Sequence, residues 1–378
     1  MKKLLAITVI FALVAGAAFA ETTVGGSIEV RYRVDGSDEK DSKVTNTGRI
    51  DNAAVSLTGA DDDGTFGGTL KLVYTNEWQV TGANKADGAA GAGDPVIGVS
   101  RTYATLAVFD RAFIWWQPIE QIKFWMGKDG DGLFNSAGVS RWGFHQMDRG
   151  LAFEHWGADG YLMGNWSGPG IAMMVYPVDG LEINLALGTD WQEEVGKSFT
   201  NRFQAQVGYN LDGVGKFTLT LQPRGVSAKE SKVGLTYTSA EFVEGLSFEL
   251  GFAFDATEKK KDNMKIGLGA EYKAGDFGVK LRAFIDPNIG AKNDELGWDA
   301  DIMPYYSLGD IGTIYCAIGI NGNTRAGRSM ADDIGFYFNP YLRKDVSNGQ
   351  LRFGGYYENR NGDKVSTWRI GTTWLINF

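Results

Sequence analysis

The chain has little of the chemistry that would cross-link it or support catalysis. Its 378 residues include one cysteine, Cys316, so no internal disulfide can form. Only His145 and His155 could serve a histidine-based catalytic or metal site. Proline occurs 8 times, and after Ala20 no stretch approaches the ~18 apolar residues that a membrane-spanning helix needs. These scarcities exclude a disulfide scaffold and a helical membrane protein.

The first twenty residues differ from the rest of the chain. They contain two lysines, an apolar run and the small-residue sequence Ala18-Phe19-Ala20. This is the pattern of a cleaved secretory signal peptide. We therefore expect residues 1–20 to be removed after export, and residues 21–378, which show no domain boundary, to form one unit.

Glycine and aromatic side chains are abundant, with 52 glycines and 13% aromatic residues. In the segment TVGGSIEVRYRV, Val30 and Tyr32 fall on one face, and Arg31 and Arg33 fall on the other. The same two-residue alternation recurs in NRFQAQVGYNL, LSFELGFAFD and MKIGLGAEYK. Such a wide apolar band, with no helices to cover it, favours an all-β, transmembrane antiparallel β-barrel over a soluble sandwich.

The connections between predicted strands alternate in length. Short ones such as ADDDG (60–64) and LGDIG (308–312) lie between longer ones, such as the Gly/Ala-rich stretch 81–100 and the segment 128–168. Eight short turns and nine long loops separate eighteen strands, which is typical of outer-membrane barrels with short periplasmic turns and long extracellular loops. Sixteen strands remain possible, because 128–168 could hide or lose a hairpin and the alternation in 49–58 is ambiguous.

The final segment, WRIGTTWLINF, carries an apolar row of Trp368, Ile370, Trp374, Ile376 and Phe378 on one face. Nothing follows in the sequence to cover that row. In a soluble protein such a row would be left in water. In a barrel it reaches toward lipid, so the segment fits a strand of a closed membrane sheet.

The leader, the alternating strands, the short turns opposite long loops and the final strand ending in Phe378 together resemble the general diffusion porins of Gram-negative outer membranes. The resemblance implies a passive channel for small hydrophilic solutes, located in the cell outer membrane and assembled as a homotrimer. It also implies that the barrel-assembly machinery recognises the final strand through Trp374, Ile376 and Phe378. Two alternatives remain: a sugar- or anion-specific porin, and a surface adhesin or structural protein whose barrel is an anchor.

The segment RAFIWWQPIEQIKFWMGKDGDGLF resembles the porin hairpin that precedes a third loop, which folds into the lumen and narrows the pore. The resemblance makes 128–168 the candidate constricting loop. Its mixture of charge signs suits a constriction in which acidic and basic groups face each other, although an ordinary solvated loop would have the same composition. The candidate constriction residues are Lys128, Asp129, Asp131, Arg141, His145, Asp148 and Arg149.

Residues opposite the apolar face are expected to line the lumen. More of them are basic than acidic, although the chain has a net charge of -9, so acidic residues should concentrate in loops and turns. A basic lumen would weakly favour anions, whereas charge balance near the rims is the simpler alternative. The candidate wall residues are Arg31, Arg33, Lys71, Lys123, Arg202, Arg282, Arg352 and Arg369.

Signals for other chemistry are weak. Ser140, His145 and Asp148 lie near one another, but no independent motif accompanies them, so we expect no enzyme. KDGDGLF departs from a calcium loop at Leu133, and no metal or cofactor is expected. The lysine run in ATEKKKDN suits contact with anionic lipopolysaccharide, or is a solvated loop tip. Outer-membrane lipid is the expected environment, and no nucleic-acid partner is expected.

Overall fold

Strands make up nearly all of the residues that the structure describes. The structure, a computed structural model, describes residues 21–38, 42–82, 97–101, 108–128, 169–188, 203–224, 230–256, 264–286, 297–322, 334–360 and 365–378. The strands are β1 (Glu21–Ser37), β2 (Thr45–Ala60), β3 (Phe66–Gly82), β4 (Ile97–Arg101), β5 (Val108–Ile119), β6 (Ile122–Lys128), β7 (Pro169–Val178), β8 (Leu181–Gly188), β9 (Phe203–Leu211), β10 (Gly215–Arg224), β11 (Glu230–Ser239), β12 (Leu246–Ala256), β13 (Met264–Ala274), β14 (Phe277–Asp286), β15 (Gly297–Ser307), β16 (Thr313–Gly322), β17 (Ile334–Val346), β18 (Gly349–Arg360) and β19 (Val365–Asn377). A short 3₁₀ turn, Gly309–Ile311, joins β15 to β16. Within these residues no helix is long and apolar enough to cross a membrane.

Eighteen of the strands form one closed antiparallel ring. Successive strands pair around the ring, with β3 pairing directly with β5, and β1 pairs with β19 to close it. At the closure the Gly26 N–H donates to the Phe378 carbonyl at 2.8 Å, and the Phe378 N–H donates to the Gly26 carbonyl at 3.0 Å. Closure gives both edge strands a hydrogen-bonding partner, which a sheet in hydrocarbon requires.

The extra strand, β4, continues the line of β5 along β3. β5 pairs with Phe66–Val73 of β3, and β4 pairs with Trp78–Gly82 beyond it. The stretch 81–100 was expected to be a loop, and the structure differs there because β3 runs for 17 residues and its far end is paired by β4. The eighteen predicted barrel strands are confirmed, and sixteen is excluded.

Two register shifts explain the ambiguous alternation in 49–58. One lies between Glu29 and Val30 in the pairing of β1 with β2, and the other lies between Ile50 and Ala53 in the pairing of β2 with β3. An extra residue in one strand reverses the side-chain parity beyond it. A strict two-residue count therefore fails across this part of β2, although the segment is a strand.

The short connections all lie at one end of the barrel, the turn end, as the sequence predicted. They are 61–65, 120–121, 179–180, 212–214, 240–245, 275–276, 308–312 and 347–348. Several use glycine with a positive φ, including Gly180 at 78° and Gly213 at 68°, because tight turns need a conformation that other residues rarely adopt. The strand ends on the other side of the ring form the opposite end, the loop end.

The two faces of the ring differ in exposure and in chemistry. On β19, Ile370, Trp374 and Ile376 are 52%, 53% and 52% exposed, whereas the alternate residues Arg369 and Thr373 are 9% and 2% exposed. Side chains converge on the concave face of a closed sheet and diverge on the convex face. The buried polar set is therefore the inner face, and the exposed apolar set is the outer face.

Candidate pore wall

One part of the inner wall, the ionic sector, is built from charged and tyrosine side chains on β14, β15, β17, β18, β19 and β1. The Arg282 Nε donates to Asp301 Oδ2 at 2.8 Å, and the Tyr337 hydroxyl donates to Asp301 Oδ1 at 2.6 Å. All three side chains are buried. Burying an ion pair is tolerable only when its remaining polar atoms are also bonded, and Tyr337 supplies one such bond.

The ionic sector continues across the closure of the barrel. The Tyr356 hydroxyl donates to Glu358 Oε2 at 2.9 Å, and the guanidinium of Arg369 lies 5.4 Å from the centre of the Tyr356 ring. Asp35 then forms ion pairs with Arg369 at 2.9 Å and with Arg33 at 2.8 Å. The charged groups of β18, β19 and β1 are thus stabilised by neighbours on the wall itself.

Inner-face glycines let side chains reach across a whole strand. Gly319 of β16 pairs with Asp301 on one side and with Tyr337 on the other. A Cβ at this position would collide with the Tyr337 ring and with Asp301 Oδ1. Gly278 gives the same clearance to Tyr305, whose hydroxyl donates to Glu271 at 2.8 Å on the strand beyond. The high glycine content therefore makes space for contacts between strands that are not adjacent.

Three tyrosines of the inner wall form a stack near the turn end. The ring centroids of Tyr305 and Tyr315 are 5.5 Å apart, and those of Tyr315 and Tyr341 are 4.9 Å apart with planes within 8°. Each ring therefore uses a face against its neighbour. Ring contacts of this kind stabilise the wall.

The second part of the inner wall, the apolar sector, consists of Phe113, Trp115, Trp125, Ala172, Met174 and Ala186 on β5 to β8. Trp125 is 7% exposed, and its ring centroid lies 5.0 Å from that of Phe113. The outer face of the same strands is apolar too, with Trp116 and Phe124 stacked at 5.6 Å. The inner face of these strands also carries Lys123, whose Nζ lies 5.2 Å from the centre of the Trp115 ring.

Between these two sectors lies a row of neutral hydrogen-bonding groups. The Asn184 amide donates to Gln206 Oε1 at 3.4 Å, and the Gln206 amide donates to the Thr220 hydroxyl at 3.1 Å. These side chains are almost fully buried. From β5 to β1 the described wall therefore changes from largely apolar, with Arg111 and Lys123 among the apolar side chains, to neutral polar and then to ionic.

The structure describes most of the candidate wall residues but only one of the candidate constriction residues. Arg31, Arg33, Lys71, Lys123, Arg282, Arg352 and Arg369 lie at inner-face positions, and Arg202 lies outside the described residues. Lys128 is the last residue of β6 and pairs with Ala112 at the loop end. The other candidate constriction residues, Asp129, Asp131, Arg141, His145, Asp148 and Arg149, lie outside the described residues. The constriction therefore stays a prediction.

Several wall residues were missed from the sequence. Arg111 is opposite Lys71 on the inner face, and its strand parity could have identified it. Asp35 lies at the end of an alternating segment whose parity also placed it inside. The hydrogen bonds of Tyr337 and Tyr305 could not be predicted from strand parity. Each bond crosses an intervening strand, so no fixed spacing in the sequence relates its two residues. In the described residues, no group of three His, Cys, Asp or Glu side chains is arranged to hold a metal ion.

A closed antiparallel ring with an apolar outer face and a polar inner face has the architecture of a transmembrane β-barrel. OccK11 (OpdR) of Pseudomonas aeruginosa is similar, with a TM-score of 0.57 and 11% identity over 95% of this chain and 97% of its own. OpdL of Pseudomonas aeruginosa is also similar, with a TM-score of 0.57 and 11% identity over 95% of this chain and 99% of its own. A mutant Rh. blastica porin aligns at 13% identity over 94% of this chain and 100% of its own, with a TM-score of 0.48.

No protein-family model and no curated protein matches the sequence. At the identities of the solved structures, the similarity shows the fold alone. The two Pseudomonas aeruginosa structures carry this conclusion, because their TM-scores exceed 0.5. The porin-type barrel expected from the sequence is therefore confirmed at the level of the fold.

Proposed function

We propose that this barrel is an outer-membrane channel through which small hydrophilic solutes and ions diffuse. The observation that carries the proposal is the polarity of the two faces: the ring exposes apolar side chains outward and turns charged and amide groups inward. A barrel of this kind is stable in lipid and surrounds a polar interior. The apolar outer face and polar inner face support a channel rather than an enzyme, because the reactive groups of an enzyme would have to converge on one site.

Conductance through a planar lipid bilayer tests the channel. Purified protein should give a steady current that is proportional to voltage, because a water-filled pore has no large barrier to ions. An anchor barrel, as in a surface adhesin, should give no steady current. That result would favour the adhesin alternative.

We also propose that segment 128–168 packs against the apolar sector from inside and narrows the pore. The segment connects β6 to β7, which both belong to that sector. Phe113, Trp125 and Met174 would otherwise present apolar surface to water. Coverage by the connecting segment would account for the cluster of apolar side chains on this part of the inner face.

Charge substitutions test the proposed constriction. Replacing Asp129, Asp131 and Asp148 together by Asn should shift the reversal potential under a salt gradient toward anions, because the field is strongest where the walls are closest. Neutralising Arg141 and Arg149 should shift it toward cations. The control is an equal number of substitutions in ATEKKKDN. Equal effects of the control would show that 128–149 is not the constriction.

A preference for anions is a second candidate property of the channel. Lys71 and Arg111 lie directly opposite each other on β3 and β5, on the inner face. Two adjacent cations raise the local concentration of anions. Replacing both by Gln should lower the permeability ratio of chloride to potassium if this pair sets the preference. An unchanged ratio would remove the pair as its source.

Location and assembly complete the proposal. Residues 1–20 are removed on export, the barrel sits in outer-membrane lipid, and copies form a homotrimer. Trp374, Ile376 and Phe378, which are exposed on the outer face, are recognised by the barrel-assembly machinery. Cell fractionation, N-terminal sequencing and unboiled gels test these points. A barrel found in the inner membrane would contradict them.

A further inference from the structure

The pairing of β1 with β19, which we call the closure seam, joins the two ends of the chain. Every other pairing in the ring joins strands that follow one another in the sequence, or, for β3 and β5, strands with β4 between them. A short connection between two strands fixes which of their residues face each other. The closure seam has no connection to limit it, so contacts between side chains must set its register.

The alternation of side chains narrows the possible registers of the closure seam without selecting one. A one-residue slip would turn apolar side chains into the lumen, so the alternation excludes it. A two-residue slip keeps every side chain on its own face, although it changes the stagger of the strands and with it the shape of the barrel. The contact that selects the register must therefore distinguish positions two residues apart.

At the turn end of the closure seam, an aromatic ring lies over a glycine. Gly26 and Phe378 exchange two backbone hydrogen bonds, at 2.8 and 3.0 Å, and therefore face each other directly. A Cβ on Gly26 would collide with the Phe378 ring and also with the Ala54 carbonyl oxygen. The ring of the last residue thus occupies the space that a side chain on Gly26 would need.

The loop end of the closure seam repeats this arrangement. Gly36 is directly opposite Trp368, and a Cβ on Gly36 would collide with the indole ring. Gly36 is buried and Trp368 is half-buried, whereas Trp374, which is on the same face of β19 but opposite Val30, is 53% exposed. The Trp368 indole therefore lies down over the backbone of Gly36.

The two glycine–aromatic pairs are the first and last outward-facing pairs of the closure seam. The glycines have the same spacing on β1 as the aromatic residues have on β19, so both rings meet a glycine in the same register. A two-residue slip in either direction removes both contacts at once. The residues opposite Phe378 and Trp368 would then be Val24 and Val34 in one slip, and Ile28 and Asp38 in the other.

We propose that the two glycine–aromatic pairs select the register in which the barrel closes. Glycine weakens a strand, and an aromatic ring laid across it from the neighbouring strand compensates for the missing side chain. A side chain at Gly26 or Gly36 would hold the ring away from the sheet. The pairs therefore stabilise the observed register and are lost in the registers two residues away.

The inner face of the closure seam distinguishes these registers less sharply. Asp35 is directly opposite Arg369 and forms an ion pair with it at 2.9 Å. A long side chain also reaches diagonal neighbours on the adjacent strand, so this ion pair can survive a two-residue slip. A ring over a glycine has no such freedom, because the outward-facing positions two residues away carry side chains.

Disulfide cross-linking measures the register directly. In a background with Cys316→Ser, Glu29→Cys with Leu375→Cys reports the observed register, because these residues are directly opposite each other. Glu29→Cys with Thr373→Cys, or with Asn377→Cys, reports the two slips. Directly opposed residues have Cα atoms about 4.5–5.5 Å apart, which a disulfide can bridge, whereas diagonal neighbours about 7–8 Å apart are too distant.

The mature chain is refolded from urea into detergent micelles, so the measurement involves neither conduction nor the assembly machinery. Gly26→Ala with Gly36→Ala adds a methyl group beneath each ring. Gly25→Ala with Gly355→Ala is the matched control, since those methyl groups would lie 3.5 and 3.6 Å from the nearest atoms. The ratio of in-register to slipped cross-link should fall about tenfold in the first variant, because overpacking disfavours the observed register. The control should keep the wild-type ratio.

A reciprocal exchange separates the selection of register from a general loss of stability. Gly36→Trp alone sets two indole rings against each other and should lower the cross-link ratio at least as far. Gly36→Trp with Trp368→Gly returns one ring to one glycine across the same pair and should restore the ratio.

Three results would overturn the inference and leave the proposed channel standing. They are a wild-type ratio in the Gly26→Ala, Gly36→Ala variant, an equal loss in the control, and an exchange no better than Gly36→Trp alone. If the alanine variant gives no folded band on unboiled gels, the exchange decides.

Discussion

The ionic and apolar sectors occupy the same face of the same sheet, yet they are stabilised in different ways. In the ionic sector, Asp301 and Tyr337 bond across Gly319, so one wall side chain supplies a partner for another. In the apolar sector, Trp125 packs against Phe113 of the adjacent strand, and its apolar surface faces inward. Polar side chains of the ionic sector find partners on the wall itself, whereas the apolar sector is held by packing between its own side chains.

Breaking the buried ion pair of the ionic sector should cause the largest loss of stability. Arg282→Met leaves Asp301 buried without its cation, and removing one partner of a buried pair costs about 3–5 kcal/mol. The free energy of unfolding from detergent micelles in denaturant should fall by that amount. Arg282→Met with Asp301→Leu removes both charges and should recover much of the loss. A double variant no better than the single one would show that the charge left behind is not the cause.

Truncation in the apolar sector should have the next largest effect. Trp125→Ala should lower the free energy of unfolding by about 3 kcal/mol, because the indole is 7% exposed and its removal leaves a cavity. Trp116→Ala is the matched control, since that indole is on the same hairpin but 51% exposed on the outer face. Equal losses would mean that the inner face is no better covered than the outer face.

A methyl group at Gly319 should break the hydrogen bond between Tyr337 and Asp301, which crosses the strand that contains Gly319. Gly319→Ala forces Tyr337 and Asp301 apart, and overpacking of this kind costs about 1–3 kcal/mol. Gly25→Ala is the control, since its Cβ would lie 3.5 Å from the nearest atom, Ser56 Oγ. Denaturant unfolding compares the two. Equal stability of both variants would remove the bridging role of Gly319.

The smallest effect is expected at the exposed pair of Lys216 and Glu182. Their side chains are 43% and 28% exposed, so Glu182→Gln should cost less than about 1 kcal/mol, and salt should reduce the cost further. The same unfolding assay at low and high salt measures it. A loss as large as that of Arg282→Met would contradict the distinction between buried and exposed ion pairs on this wall.

The barrel could be predicted from the sequence because its strongest signals are local. Alternation of side chains and short turns are properties of neighbouring residues, and they gave the strand number and the two faces. β4 was missed because IGVSR is too short for alternation to stand out, and because its pairing with β3 depends on the length of a distant strand.

The candidate site was harder to predict than the fold. Parity placed Arg282 and Arg369 on the inner face, since parity is a local property. It could not show that Tyr337 bonds Asp301, because the register between strands sets that contact. The proposed constriction depends on residues 129–168, which the structure does not describe, so those assignments remain predictions.

The strand-crossing glycines also constrain the order in which such a wall can change during evolution. A tyrosine at position 337 reaches Asp301 only if position 319 already lacks a side chain. The glycine must therefore arise first, and once the tyrosine is in place the glycine can no longer be replaced without loss. Positions 301, 319 and 337 should be inherited as a group, and the same dependence should link Glu271, Gly278 and Tyr305.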